Sequence, residues 1–174
     1  MFKIIATIFI CAVVVLGANF YFVEMPLRSA INADTRNEGI EIHGYAQYLV
    51  NPNHLVVDLW SVPPNSSMAD VGRSLFQIAE SLKTTEFGTV TLAYRGTAKF
   101  QLDGAYFKSL GEEVAAGQNP VFLIRTLPQN LKTPDGRNAY SEWTGGLIGV
   151  VGQQMEDFND FHKQWYLNDM LLGN

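Results

Sequence analysis

The sequence predicts an α+β fold: an N-terminal transmembrane helix, then one domain with an antiparallel-rich sheet of about five strands covered by helices, ending in a long amphipathic helix. Three observations lead there. The run from Ile4 to Val23 carries no charged side chain. Strand-like segments, several with the alternating polarity of half-buried strands, come in two hairpin pairs between Gly39 and Leu102, with a fifth candidate over Pro120 to Thr126. Around Met68 to Leu82 and Leu147 to Leu172 the period changes to three and four, as on one face of a helix.

The apolar run comes first in the chain and sets the expected compartment. At a rise of about 1.5 Å per residue it is about 30 Å long as a helix, the thickness of a bilayer's hydrocarbon core. Ile4, Val13 and Leu16 are membrane-anchor positions, and Phe20, Tyr21 and Phe22 form an aromatic anchor at its outer edge. Lys3 precedes the run and Glu24 follows it. The excess of basic residues on cytoplasmic flanks therefore puts the N-terminus in the cytoplasm and the domain on the periplasmic or extracellular side of the inner membrane, as a single-pass protein. A cleaved secretory signal is the alternative, since Gly17-Ala18 offers a small pair after the apolar core. Against it, Leu16 stands where a small residue is preferred and apolarity continues through Val23. Residues 1–25 are thus the anchor or signal, 26–37 a linker containing Pro26, Ser29, Asn32 and Asp34, and 38–174 the extracytoplasmic domain.

Composition narrows the domain's chemistry. With 11 Phe, 7 Tyr, 3 Trp and charged residues at 17%, the chain is built to pack a core. A net charge of −5 repels a phosphate backbone, so nucleic acid is not an expected partner. The single cysteine, Cys11, lies within the apolar run. The domain therefore has no disulfide, thiol nucleophile or cysteine-ligated metal.

The elements follow in order. Ile40, Ile42, Ala46 and Tyr48 alternate with Glu41, His43 and Gln47 in a strand over Gly39 to Val50; Asn51-Pro52-Asn53 is the expected turn, and Leu55 to Val62 the partner strand. Ser67 with Asp70 approximates a capping box for the helix bearing Met68, Val71, Leu75, Ile78, Ala79 and Leu82. Gly88 to Tyr94 and Thr97 to Leu102 form a second hairpin about Arg95-Gly96. Asp103 is the N-cap of a helix over Gly104 to Ala116 with Tyr106, Phe107, Leu110 and Val114 inward. Pro120 to Thr126 reads as a fifth strand, and Gln129 to Tyr140, with Pro134-Asp135-Gly136, as an exposed loop. The last helix puts Leu147, Val150, Val151, Met155, Phe158, Phe161, His162 and Trp165 on one arc and Glu156, Asp160, Lys163 and Gln164 opposite. Its early glycines, Gly145, Gly146, Gly149 and Gly152, call for close backbone packing to offset their helix cost of about 1 kcal/mol each.

No catalytic, metal, cofactor or nucleotide motif stands out. Glu156, Asp157, Asp160 and His162 are the densest set of possible ligands, but His162 points more than about 90° from the acidic face of its helix. Tyr94, Arg95 and Lys99 interleave aromatic and basic residues about a hairpin tip; with Arg125 they are a candidate anion pocket, and Trp143 and Trp165 complete the candidate binding set. The expected function is a membrane-anchored interaction or accessory subunit with a protein partner in an envelope complex. Alternatives are an exported hydrolase using His43, Asp58 or His162, and a soluble periplasmic binding module released by cleavage.

Overall fold

The structure is a computed structural model and describes residues 2–173. The chain begins with one continuous helix in three parts: α1 (Phe2–Asn19), a π-helical turn (Phe20–Glu24) and α2 (Met25–Asn32). A 3₁₀ turn (Thr35–Asn37) leads into β1 (Glu41–Gln47) and β2 (Asn51–Ser61). Then come α3 (Met68–Leu82), β3 (Thr89–Tyr94), β4 (Thr97–Asp103), α4 (Gly104–Ala115), α5 (Pro120–Thr126) and the two-residue β5 (Leu131–Lys132). The C-terminal helix is again in three parts: α6 (Leu147–His162), a π turn (Lys163–Leu167) and α7 (Asn168–Leu172).

The five strands lie in the order β1-β2-β3-β4-β5. This corrects the antiparallel-rich expectation, because the sheet is mixed: its centre is the parallel pair β2–β3, with antiparallel pairs on either side. The cause is α3. A helix between two strands carries the chain back to the starting edge, so β3 enters beside β2 in the same direction. The Ser67–Asp70 capping box forms in both directions and starts α3 where expected.

The stretch read as a linker is not one. Val23, Leu27 and Ile31 recur every four residues, and all three are in the hydrophobic core. Pro26 stands directly after the π turn, at the start of α2. Proline has no N–H to return to the preceding turn, and Met25 N–H bonds to the Phe20 carbonyl, five residues back. The segment Pro120 to Thr126 is likewise helix rather than strand. Asn119 caps it, accepting from the Val121 N–H at 2.9 Å, and Pro120 takes the first helical position, where no N–H is needed. The expected turn Asn51-Pro52-Asn53 belongs to β2; the chain reverses three residues earlier, over Tyr48 to Val50. Pro52 is tolerated there because the β2–β3 ladder begins only at His54.

The helices pack on one face of the sheet. Ile42, Leu55, Val57, Leu59, Val90, Leu92, Phe100 and Leu102 face them in one core cluster. The C-terminal helix closes this core with Phe158, Phe161, His162, Trp165 and Tyr166. Trp165 is fully buried, stacks on Phe161 and donates its indole N–H to the Ala93 carbonyl at 2.9 Å. The inward arc departs from expectation at Met155, which is exposed, and at Gln154, which is buried; the Leu147 side chain lies outside the described residues. The early glycines find no close packing either, since a Cβ on Gly146, Gly149 or Gly152 would meet open space.

Candidate functional site

The other face of the sheet holds the polar chemistry. In the β1–β2 register His43 lies opposite Asp58 and Tyr45 opposite Val56; in the β2–β3 register Val56 lies beside Thr91 and Asp58 beside Ala93. Paired residues share a face, so these side chains, with Trp60 two residues beyond Asp58, form one surface outside the core cluster. Asp58 is buried and organises it. Its carboxylate accepts from Tyr45 Oη (3.0 Å), Trp60 Nε1 (3.0 Å) and the Gly96 N–H (3.0 Å), tying β1, β2 and the β3–β4 turn together. Burial and the neighbouring Asp58 charge push the Tyr45 phenol up to about 12, so it donates and does not ionise. Next to them Trp60 is 48% exposed, with its ring edge-on to His43 at 5.7 Å.

Where this face meets the first helix, a second carboxylate takes over. Glu24 accepts from the Gly44 N–H (2.7 Å), from His43 Nδ1 (2.9 Å) and from Arg28 Nε (2.5 Å). Burial alone would raise the Glu24 carboxyl, but the hydrogen bonds from Gly44, His43 and Arg28 outweigh it and hold it below its ordinary value. One turn earlier Asn19 repeats the contact: its Oδ1 accepts from the Ala46 N–H at 2.8 Å and its Nδ2 donates to the Leu49 carbonyl at 2.7 Å. The edge of β1 is thus satisfied by side chains of the first helix. Gly44 allows this approach, since a Cβ there would stand 2.6 Å from Leu27 Cδ1. Between helix and sheet lies an open groove of about 400 Å³, with Leu16, Phe20, Tyr45, Leu49 and Trp60 as apolar walls and Glu24 and His43 behind them.

The residues singled out in the sequence are distributed as follows. Tyr94 and Arg95 come together, the guanidinium 5.3 Å from the ring centre, but Tyr94 is buried. Arg95 Nε donates to the Trp60 carbonyl at 3.2 Å. Lys99 pairs with Asp169 of α7 at 2.7 Å. Arg125 is on α5, not on a strand, and donates to Gln154 at 2.9 Å. Trp143 donates to Asp157 at 2.6 Å, and Trp165 is in the core. His43 faces Glu24, the oxygens of Asp58 are occupied by the donors above, and His162 is enclosed by Phe158, Phe161, Trp165 and Tyr166. Among the described residues, no three or more His, Cys, Asp or Glu side chains are grouped to hold a metal ion.

The anchor positions Ile4, Val13, Leu16, Phe20, Tyr21 and Phe22 are all exposed, and none of the apolar window of this helix is buried in the domain. By length and composition the helix can cross a membrane. Sequence reasoning missed Asn19, Glu24 and the Tyr48–Val50 tip. The usable signal was Asn19 itself, because a polar amide in an apolar run needs a partner. Comparison with protein-family models, curated proteins and solved structures found no match.

Proposed function

We propose that this protein is a single-pass, membrane-anchored interaction or accessory subunit of an envelope assembly, with its N-terminus cytoplasmic and its domain periplasmic or extracellular. One observation carries the reading: the exposed apolar helix and the core helix are the same helix. It runs unbroken through Gly17-Ala18, and Val23, Leu27 and Ile31 lock its far end into the core. A domain held this rigidly cannot swing on a tether. Its outer sheet face is therefore presented at a fixed height and angle above the bilayer, as a subunit with one docking geometry requires. The partner surface is that outer face around Trp60, a half-exposed aromatic of the kind that anchors protein interfaces, set in a rim of His43 and Tyr45.

Two measurements test this. A C-terminal reporter that works only in the cytosol is expected to be silent; activity would overturn the topology. A photo-crosslinking side chain placed at Trp60 in the membrane-bound protein is expected to trap a stoichiometric protein partner, while the same group at Asp135 in the loop does not. A chain that extracts in mild detergent as a lone monomer, uncrosslinked from either position, would remove the accessory-subunit reading.

A further inference from the structure

The β1–β2 turn is built against local preference. Tyr48 and Leu49 both have left-handed backbone, with φ of 53° and 64°. At such a pair a hairpin ordinarily places asparagine or glycine, because a Cβ crowds the following carbonyl. Here bulky side chains occupy both positions and then point outward: Tyr48 is 82% exposed, and Leu49 and Val50 are also exposed. Strain that serves to display apolar side chains to solvent is an outlier that needs a function. The tip-side half of the hairpin is also free of formal charge, since no Asp, Glu, Lys or Arg occurs from Gly44 to Val57.

The partner follows from where the tip is held. Going down the first helix from Glu24 to Asn19, toward the apolar segment, the hydrogen-bonded positions of the hairpin advance from Gly44 to Ala46 and then Leu49. β1 therefore runs toward the membrane end of the helix, and Leu49 is bonded at the level of Asn19. That level is about 6 Å inside the end of the apolar run at Val23, counting four residues of helical rise. It is also flanked by Phe20, Tyr21 and Phe22, the aromatic belt of the helix. We infer that Tyr48, Leu49 and Val50 form a second membrane contact, a wedge in the headgroup and upper acyl region of the bilayer that the helix spans. The occupant of this surface is lipid. Tyrosine suits the interface, Leu49 and Val50 suit the acyl boundary, and the tip brings no Asp, Glu, Lys or Arg to be desolvated. With two contacts on one rigid body, the wedge fixes the rotation of the domain about the helix axis, which a single helix leaves free.

This rests on the membrane-anchor reading, and the test separates the two. The full-length protein is reconstituted in phosphatidylcholine vesicles with an environment-sensitive fluorophore on a single cysteine. The positions are native Cys11, and, in a Cys11→Ser background, Leu49→Cys, Val50→Cys or, as a control in the distant loop, Asp135→Cys. The inference expects blue-shifted emission at 11, 49 and 50, quenching at all three by lipids carrying a nitroxide on the acyl chain, and neither effect at 135. Quenching at 11 with water-like emission at 49 and 50 would overturn the wedge and leave the anchor standing. Water-like emission at 11 as well would overturn both.

Discussion

The two ends of the chain use the same device for opposite purposes. Each is a long helix interrupted by a five-residue π turn, Phe20–Glu24 at the start and Lys163–Leu167 at the end. At the C-terminus the helix covers the core: Phe158, Phe161, Trp165 and Tyr166 are buried, and both residues at the heart of the π turn, Trp165 and Tyr166, are inside. At the N-terminus the turn marks a change of environment, with Phe20, Tyr21 and Phe22 exposed before it ends and Val23 and Glu24 buried at its close. One helix buries its aromatic stripe against the domain; the other leaves most of its apolar surface uncovered by the domain. Apolar content alone does not separate them. What separates them is whether other elements approach.

That contrast can be broken from either side. The largest effect is expected at Trp165→Ala, which removes a fully buried indole and its bond to Ala93. A loss of about 3–5 kcal/mol, read by urea denaturation of the full chain in detergent, would show that the C-terminal helix is a core element. Glu24→Ala, which leaves Gly44 N–H and His43 without their acceptor, should cost about 2–3 kcal/mol by the same measurement and loosen the helix from β1. Its contribution also has a pH signature. Because the folded carboxyl lies below its ordinary 4.5, the stabilisation is fully present above that value and is lost as pH falls from it through the lower folded value. Gly44→Ala, which drives a methyl against Leu27, should cost about 1–3 kcal/mol by overpacking.

His162 gives a distinct pH response. Both ring nitrogens are buried without hydrogen-bond partners, and burial lowers its pKa from 6.5 to about 3. The unfolded chain therefore binds a proton between those values that the folded one does not. Stability holds above about pH 6.5 and declines below it by up to about 1.4 kcal/mol per pH unit toward pH 3. His162→Leu should flatten this slope in denaturation curves taken from pH 7 to 5. The smallest effect is expected at the hairpin tip. Leu49→Gly relieves a left-handed side chain and should raise domain stability by up to about 1 kcal/mol, the sign expected where apolar residues are kept for contact and not for folding.

Much of the architecture could be read in advance because it is local. Ser67 and Asp70 announce the start of α3, and the alternation in Val90, Leu92 and Tyr94 marks β3, since caps and two-residue periods act within a few residues. The errors fell where a short apolar run fits two structures. Val121 to Ile124 suits a strand as well as a helix, and only the cap at Asn119 with Pro120 distinguishes them. Pro26 and its polar neighbours suit a linker, but Val23, Leu27 and Ile31 form a four-residue stripe that suits a core helix. The candidate binding set dispersed for a similar reason: Lys99 and Arg125 found Asp169 and Gln154, partners far along the chain that no spacing rule connects.

By itself, the amino-acid sequence determined a membrane-length apolar helix, a disulfide-free domain of mixed helix and strand, and most element boundaries. These follow from side-chain chemistry within one or two turns of chain. Only the tertiary structure decided that β2 and β3 run parallel, that the first helix enters the core, and that Asn19 and Glu24 bind the edge of β1. Each of those depends on which backbone groups are left unpaired after the elements assemble, a quantity that exists only once the elements have met.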